Sequence, residues 1–115
     1  MIGVNSESLA QMISSGDSIT PVVEASGSAV AFAMAEISRA FVFAVFVRPG
    51  CEAMGYGRAA LEAAESGLRA NGVTCAWLTT GKDLGFRAHG FYRHLGWKHT
   101  GYVPDGQAKY EKTLQ

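Results

Sequence analysis

Cysteine is scarce in this chain, and net charge is absent. Only Cys51 and Cys75 occur in 115 residues, with no CxxC pair and no Cys/His cluster. Neither a disulfide framework nor a zinc site is encoded, no metal ligands are assigned, and both thiols read as reduced and half-buried. Ten Lys/Arg balance ten Asp/Glu, which removes the electrostatic case for nucleic acid or an anionic membrane as partner. The opening MIGVNSESLA has neither the basic nor the apolar region of a secretion signal, so a cytoplasmic location is expected. A membrane span is missing as well. Ala29 to Val47 is long and apolar enough to raise the question, but Glu36, Ser38 and Arg39 stand at its centre. Each charge there would cost about 2.5–3.5 kcal/mol on insertion, whereas two strands turning near Ser38-Arg39 account for the same residues.

What is present is enough apolar sequence, 48% of the chain, for one domain spanning residues 1–115 with a core of its own. Asn5 to Ser14 reads as a short helix, with Leu9, Met12 and Ile13 at i, i+3, i+4 spacing and Gly16-Asp17 ending it. Strands are expected over Ile19–Ala25 and Ala29–Glu36. In the second, Val30, Phe32 and Met34 alternate with Ala31, Ala33 and Ala35, one face packing bulk and the other admitting close approach. Phe41–Val47 is apolar on both faces, as in a strand covered on both sides. A helix follows over Arg58–Asn71, with Leu61, Ala64 and Leu68 buried and Gly72 as cap. Then come a strand over Thr74–Thr80, a helix over Ala88–Leu95 capped by Gly96, and strands over Trp97–Val103 and Ala108–Leu114 joined by Pro104-Asp105-Gly106. The order α-β-β-β-α-β-α-β-β implies an α/β (α+β) fold on a mixed sheet, hairpins first and a parallel crossover around the Arg58 helix.

Phe41 to Leu61 carries the strongest chemical signal. An apolar strand ends at Arg48-Pro49, and after a glycine-bearing loop Gly55-Tyr56-Gly57 opens a helix. That arrangement aims backbone N–H groups at an anion, and a glycine removes the Cβ that would block close approach. No Gly-Lys-Ser/Thr follows, which excludes a P-loop, and the antiparallel strand order makes a dinucleotide fold a poor match. A second signal lies in AHGFYRHLGW, Ala88 to Trp97. Adjacent helical residues point about 100° apart, so Phe91 is assigned to the core and Tyr92 to a cleft.

Taken together, FVRP with Gly55-Tyr56-Gly57-Arg58, the strand Ala76-Trp77-Leu78-Thr79-Thr80, and Ala88…Phe91-Tyr92…Gly96-Trp97 resemble the GCN5-related N-acetyltransferase (GNAT) family, over Ile19 to Leu114. The resemblance implies a mixed, mostly antiparallel twisted sheet with helices on both faces and a splayed central parallel strand pair. It implies acetyl-CoA as acyl donor and a primary amine of a small molecule or peptide as acceptor, attacked directly. Backbone groups near Phe46 and Val47 would pair with the pantetheine arm. The segment Glu52, Ala53, Met54, Gly55, Tyr56, Gly57 and Arg58 would hold the pyrophosphate, and Tyr92 matches the general acid that protonates the departing thiolate. Glu24, Glu36, His89 and His94 are candidate bases.

Three positions depart from the family pattern. Glu52 stands where Gln or Arg is usual, Met54 where a basic residue is frequent, and Gly85 where Asn is usual. The residues before Ile19 are too few for the family's first strand and helix, which wall the acceptor site. These departures motivate the alternative of a catalytically degenerate domain acting as a CoA-binding or protein-interaction module, or a homodimer in which a second copy completes the wall.

Overall fold

Hairpins build the first half of the sheet. The computed structural model describes residues 8–52, 54–80 and 85–114, with side chains described from residue 16 and, in the second helix, from residue 88. Strands β1 (Ser8–Ser15) and β2 (Ser18–Ala25) pair antiparallel from Ser8 opposite Ala25 to Ser15 opposite Ser18. Gly16 sits between them at φ 58°, the left-handed backbone that lets a two-residue turn follow the strand twist. This corrects the helix expected over Asn5–Ser14. Its residues 8–14 form a strand, and residues 5–7 lie outside the described chain. The helical spacing was matched, but Gly16-Asp17 closes a hairpin, and a full ladder beside β2 outweighs a weak local preference.

Strand β3 (Ser28–Glu36) follows the Ser26-Gly27 turn, and β4 (Phe41–Val47) completes the next hairpin. The turn falls at residues 37–40, as expected from Ser38-Arg39. Asp17 pins it from the first hairpin: its carboxylate accepts from the Ser38 N–H at 2.8 Å and the Ser38 hydroxyl at 2.6 Å. The apolar window Ala29–Val47 is therefore a strand pair, and among the described residues no helix is long and apolar enough to cross a membrane.

The rest of the chain is α1 (Tyr56–Ala70), β5 (Cys75–Thr80), α2 (Gly85–His94), β6 (Lys98–Tyr102) and β7 (Ala108–Thr113). The seven strands lie in the order β1-β2-β3-β4-β5-β7-β6. All neighbours are antiparallel except β4 and β5, which share a single register pair, Phe41 with Trp77. The mixed, mostly antiparallel sheet with a splayed parallel pair is thus as expected.

The layering differs in one respect from the expected helices on both faces. Both crossovers, β4-α1-β5 and β5-α2-β6, step the same way across the sheet, and right-handed crossovers of one direction land on one face. Ala31, Ala33, Ala35, Val42, Leu78 and Tyr110 are buried on that face, in clusters shared with helix residues. Leu61, Ala64 and Leu68 are fully buried against it, as the sequence pattern requires, the two leucines contributing about 1.5–3 kcal/mol each. Asn71-Gly72 closes α1, with the Gly72 N–H donating to the Arg69 carbonyl and the Val73 N–H to that of Leu68, both at 3.0 Å.

The position of α1 decides which strand faces are core, and it overturns the two-sided cover expected for β4. In β3 it is the alanine face that is buried, because small residues let α1 lie close, while Phe32 and Met34 occupy the other face, half-buried. Strand β4 is covered on one side only, with Phe43 40% and Phe46 48% exposed. Phe43 is an extra residue: Met34 pairs with Ala44 and Ala35 with Val42, leaving Phe43 between them. That bulge keeps Val42, Val45 and Val47 on the helix side of a strand whose strict alternation would otherwise break.

Candidate active site

The end of β4, the start of α1 and the middle of α2 converge on one cavity of about 590 Å³. Its sheet wall is Val45 and Val47, half-buried and left without a neighbouring strand on one side because β5 has already diverged from β4. Its floor is the opening of α1. Gly55 is the N-cap, at φ 83°, with no side chain bonded to the cap and no acidic residue in the first turn. The first N–H engaged within the helix is that of Ala59, donating to the Gly55 carbonyl at 3.0 Å. The N–H groups of Tyr56, Gly57 and Arg58 precede it, so this helix end offers donors and a partial positive charge to the cavity.

Gly57 shows why glycine is needed here. A Cβ at this position would lie 2.9 Å from Cγ2 of Val47 and 3.7 Å from Cζ of Phe91. The α1 backbone therefore touches both β4 and α2, and that close approach shapes the cavity.

Helix α2 supplies the remaining wall through Ala88, Phe91 and Tyr92. The Tyr92 ring packs against Phe91, Trp97 and Tyr110, with centroids 5.2, 6.4 and 5.9 Å away. Burial raises the phenol's pKa above its ordinary value, because the ionised form loses water it cannot replace. Tyr92 thus lines the cavity with its phenol held in the protonated form.

The end of α2 is fastened by a buried polar cluster that the sequence reading missed. Glu65, 4% exposed on α1, accepts from the Trp97 indole N–H at 3.2 Å and from Lys112 Nζ at 2.8 Å. Lys112 also donates to the Leu95 carbonyl at 2.7 Å. A carboxylate is expensive to bury alone, and here a cation and an indole offset that cost. The available signal was an acid at i+4 from Leu61, inside the apolar stripe.

The residues singled out by sequence fall into three groups. Val47, Glu52, Gly55, Tyr56, Gly57, Arg58 and Tyr92 line the cavity. Met54, 54% exposed, and the Phe46 side chain do not: Phe46, singled out for its backbone, turns its ring to the opposite face of the sheet, stacked on Phe32 at 5.3 Å. Ala53 lies outside the described residues. Val45, Cys51, Ala88 and Phe91 were not assigned to the site; Phe91, expected in the core, does both jobs, packing on the core and walling the cavity. Among the candidate bases, Glu36 pairs with Arg39 at 3.1 Å, His89 Nδ1 with the Tyr110 hydroxyl, and His94 is exposed. Glu24 lies on β2, and none of the four lines the cavity.

Electrostatics here are carried by backbone more than by side chains. Glu52 turns its carboxylate onto its own loop, accepting from the Gly50 N–H at 2.8 Å. Arg58 Nε donates to Glu62 at 3.1 Å, so part of its charge is answered within the helix.

The profile of the Acetyltransferase (GNAT) family matches residues 4–97. The chain belongs to this family. Solved structures of similar fold include the PaiA N-acetyltransferase of Thermoplasma acidophilum in complex with coenzyme A. It is 17% identical at a TM-score of 0.76, over 84% of this chain and 61% of that one. The ribosomal-protein-S18-alanine N-acetyltransferase of Escherichia coli matches at 20% identity and TM-score 0.72, over 89% and 72%. Nourseothricin acetyltransferase matches at 18% identity and TM-score 0.75, over 95% and 85%. At these identities the structural likeness speaks for the fold alone. A comparison with curated proteins finds no match. In this GNAT-family fold the cavity lies where the end of β4, the start of α1 and the middle of α2 meet.

Proposed function

We propose that this GNAT protein is an acetyl-CoA-dependent N-acetyltransferase acting on a primary amine of a small molecule or peptide. The observation that carries the reading is the convergence, in one cavity, of an uncapped helix start, a splayed strand edge and a protonated tyrosine. The residues present suit a CoA thioester. A cavity of about 590 Å³ admits an extended ligand, and the uncapped helix start, with no acidic residue in its first turn, suits a pyrophosphate.

Acetyl-CoA, when bound, supplies an acyl carbon activated by its thioester. Direct attack forms the C–N bond and breaks the C–S bond; the amine gives up a proton and the thiolate gains one. Tyr92 is the group this chain offers for the second transfer. Its raised pKa keeps the proton in place until a thiolate forms, and phenol and thiol lie close enough in acidity for the exchange. Val45 and Val47 keep water from one side, and Phe91 holds α2 against α1.

Thermal shift with CoA and acetyl-CoA is the first test, followed by thiol release over an amine panel. Both ligands should raise the melting temperature, and Tyr92→Phe should lower turnover by about 100-fold or more while CoA binding is kept. No thermal shift at millimolar ligand, or unchanged turnover in the variant, refutes the respective part. One observation favours a second reading: Glu52 on the cavity wall and Arg58 tied to Glu62 leave little free cationic charge. A CoA-binding or protein-interaction module would bind CoA yet release no thiol with any amine. The cytoplasmic location belongs to the same proposal and is checked by cell fractionation.

A further inference from the structure

The face of the sheet opposite both helices carries the largest apolar side chains outside the core. Phe32 and Phe46 stack at 5.3 Å, Phe41 and Trp77 stack at 4.1 Å, and Phe43 lies 6.1 Å from Phe41, so that β3, β4 and β5 present one aromatic band. Met34 continues it on β3. Phe43 and Phe46 are 40% and 48% exposed. Contiguous apolar surface of this kind is uncommon on a monomer and marks an interaction site.

We propose that this face docks on the same face of a second copy of the chain. Three observations select that partner. Beside the band the charges come as two ion pairs, Arg39 with Glu36 at 3.1 Å and Lys109 with Glu111 at 3.3 Å. A two-fold interface sets a patch against itself, so a patch of one sign would repel its copy, and this one does not. The same neutrality gives no attraction for nucleic acid or an anionic lipid surface. The area suffices. The molecule measures 40 × 31 × 22 Å, so a face spanning its two longer dimensions has room for the roughly 800 Å² per partner of a stable interface. Finally, two sheets pack face to face at about 10 Å through interdigitated side chains, which the paired aromatic stacks and the gap at Ala44 supply.

The consequence reaches the cavity. Phe46 lies between Val45 and Val47 on β4, so the docking face and the cavity wall are opposite sides of one strand. The proposal does not depend on the CoA reading, since the interface is measured without ligand.

Sedimentation of the full chain over a micromolar dilution series tests it. The expected result is a species of twice the 12.2 kDa chain mass. Phe43→Glu/Phe46→Glu should weaken association by about 100-fold or more, because four carboxylates then meet in the interface. Ser66→Glu, on the exposed side of α1, should leave association unchanged. Circular dichroism checks the folding of the double variant. If it does not fold, a chain with both phenylalanines intact decides: in a Trp97→Phe background, acrylamide should quench Trp77 more strongly as the protein is diluted. A monomer throughout the series, a dimer that survives both glutamates, or binding to lipid vesicles in place of self-association overturns the proposal.

Discussion

Replacing Gly57 by alanine sets two effects of known size against each other. In a helix, Gly→Ala is favourable by about 1 kcal/mol, through the reduced freedom of the unfolded chain. Here the new methyl would stand 2.9 Å from Val47 Cγ2, whereas carbon atoms prefer about 3.5–4.0 Å. Relief requires roughly 0.6–1 Å of movement, and overpacking of that order costs about 1–3 kcal/mol. Phe91 at 3.7 Å closes the other direction. The net change is therefore between neutral and about 2 kcal/mol destabilising. In a Val47→Ala background the obstructing methyl is gone and the same substitution should stabilise by about 1 kcal/mol. Coupling between the two sites is thus expected at about 1–3 kcal/mol, measured by urea unfolding of the four chains in a double-mutant cycle. In a chain of this size, 1 kcal/mol corresponds to roughly 3–6 °C of melting temperature. Since Val47 and Gly57 both line the cavity, the CoA-induced thermal shift should fall in Gly57→Ala more than in Val47→Ala. Additive free energies, or a stabilised Gly57→Ala single variant, would show that the helix and β4 are not in the contact on which the cavity's shape rests.

Other perturbations test separate parts. Lys112→Met leaves the carboxylate of Glu65 buried with only the Trp97 indole as partner; because the lysine side chain is 24% exposed and partly screened, the loss should be about 2–3 kcal/mol rather than the larger values for fully buried pairs, read as a lowered urea midpoint and partly recovered by adding Glu65→Gln. Glu52→Gln removes a negative charge from the cavity wall and should tighten CoA by a few-fold, an effect that shrinks as salt is raised; calorimetry at two ionic strengths checks both halves. Tyr92 has a folded-state pKa above its unfolded value, so its contribution to stability is complete below about pH 10 and is lost as pH rises through the folded pKa. Tyr92→Phe should therefore flatten the decline of stability on the alkaline side, followed as unfolding midpoint against pH.

Elements with a long, unambiguous pattern were legible in the chain. The stripe of Leu61, Ala64 and Leu68 fixes α1, and the glycine-bounded apolar runs fix β2 to β5. Where one residue pattern serves two structures, sequence was ambiguous: Leu9, Met12 and Ile13 suit a helix, and only the ladder to β2 makes them a strand. Which face of β3 is core was not legible, because that depends on where α1 lies and not on side-chain size. Within the site, Tyr56, Gly57 and Tyr92 were legible since their spacing is local. Val45, Cys51, Ala88 and Phe91 were not, being ordinary apolar positions until three elements meet. Glu65 and Lys112 are 47 residues apart, a separation over which no local pattern speaks.

The single Phe41–Trp77 ladder pair has a consequence for cooperativity. It divides the sheet into two plates, β1 to β4 and β5-β7-β6, each laced by antiparallel hydrogen bonds. Among the described residues, what resists separation of the plates is that pair with its ring stack at 4.1 Å, the Trp77 amide and indole donating to Ala40 and Arg39 carbonyls at 2.9 and 2.8 Å, Arg39 over the Trp77 ring, and the helix layer. Plates so joined open as separate units with their own free energies, and native-state hydrogen exchange should resolve them. A molecule bound along the free edge of β4 would take the place of the absent ladder, so occupancy should merge two opening events into one.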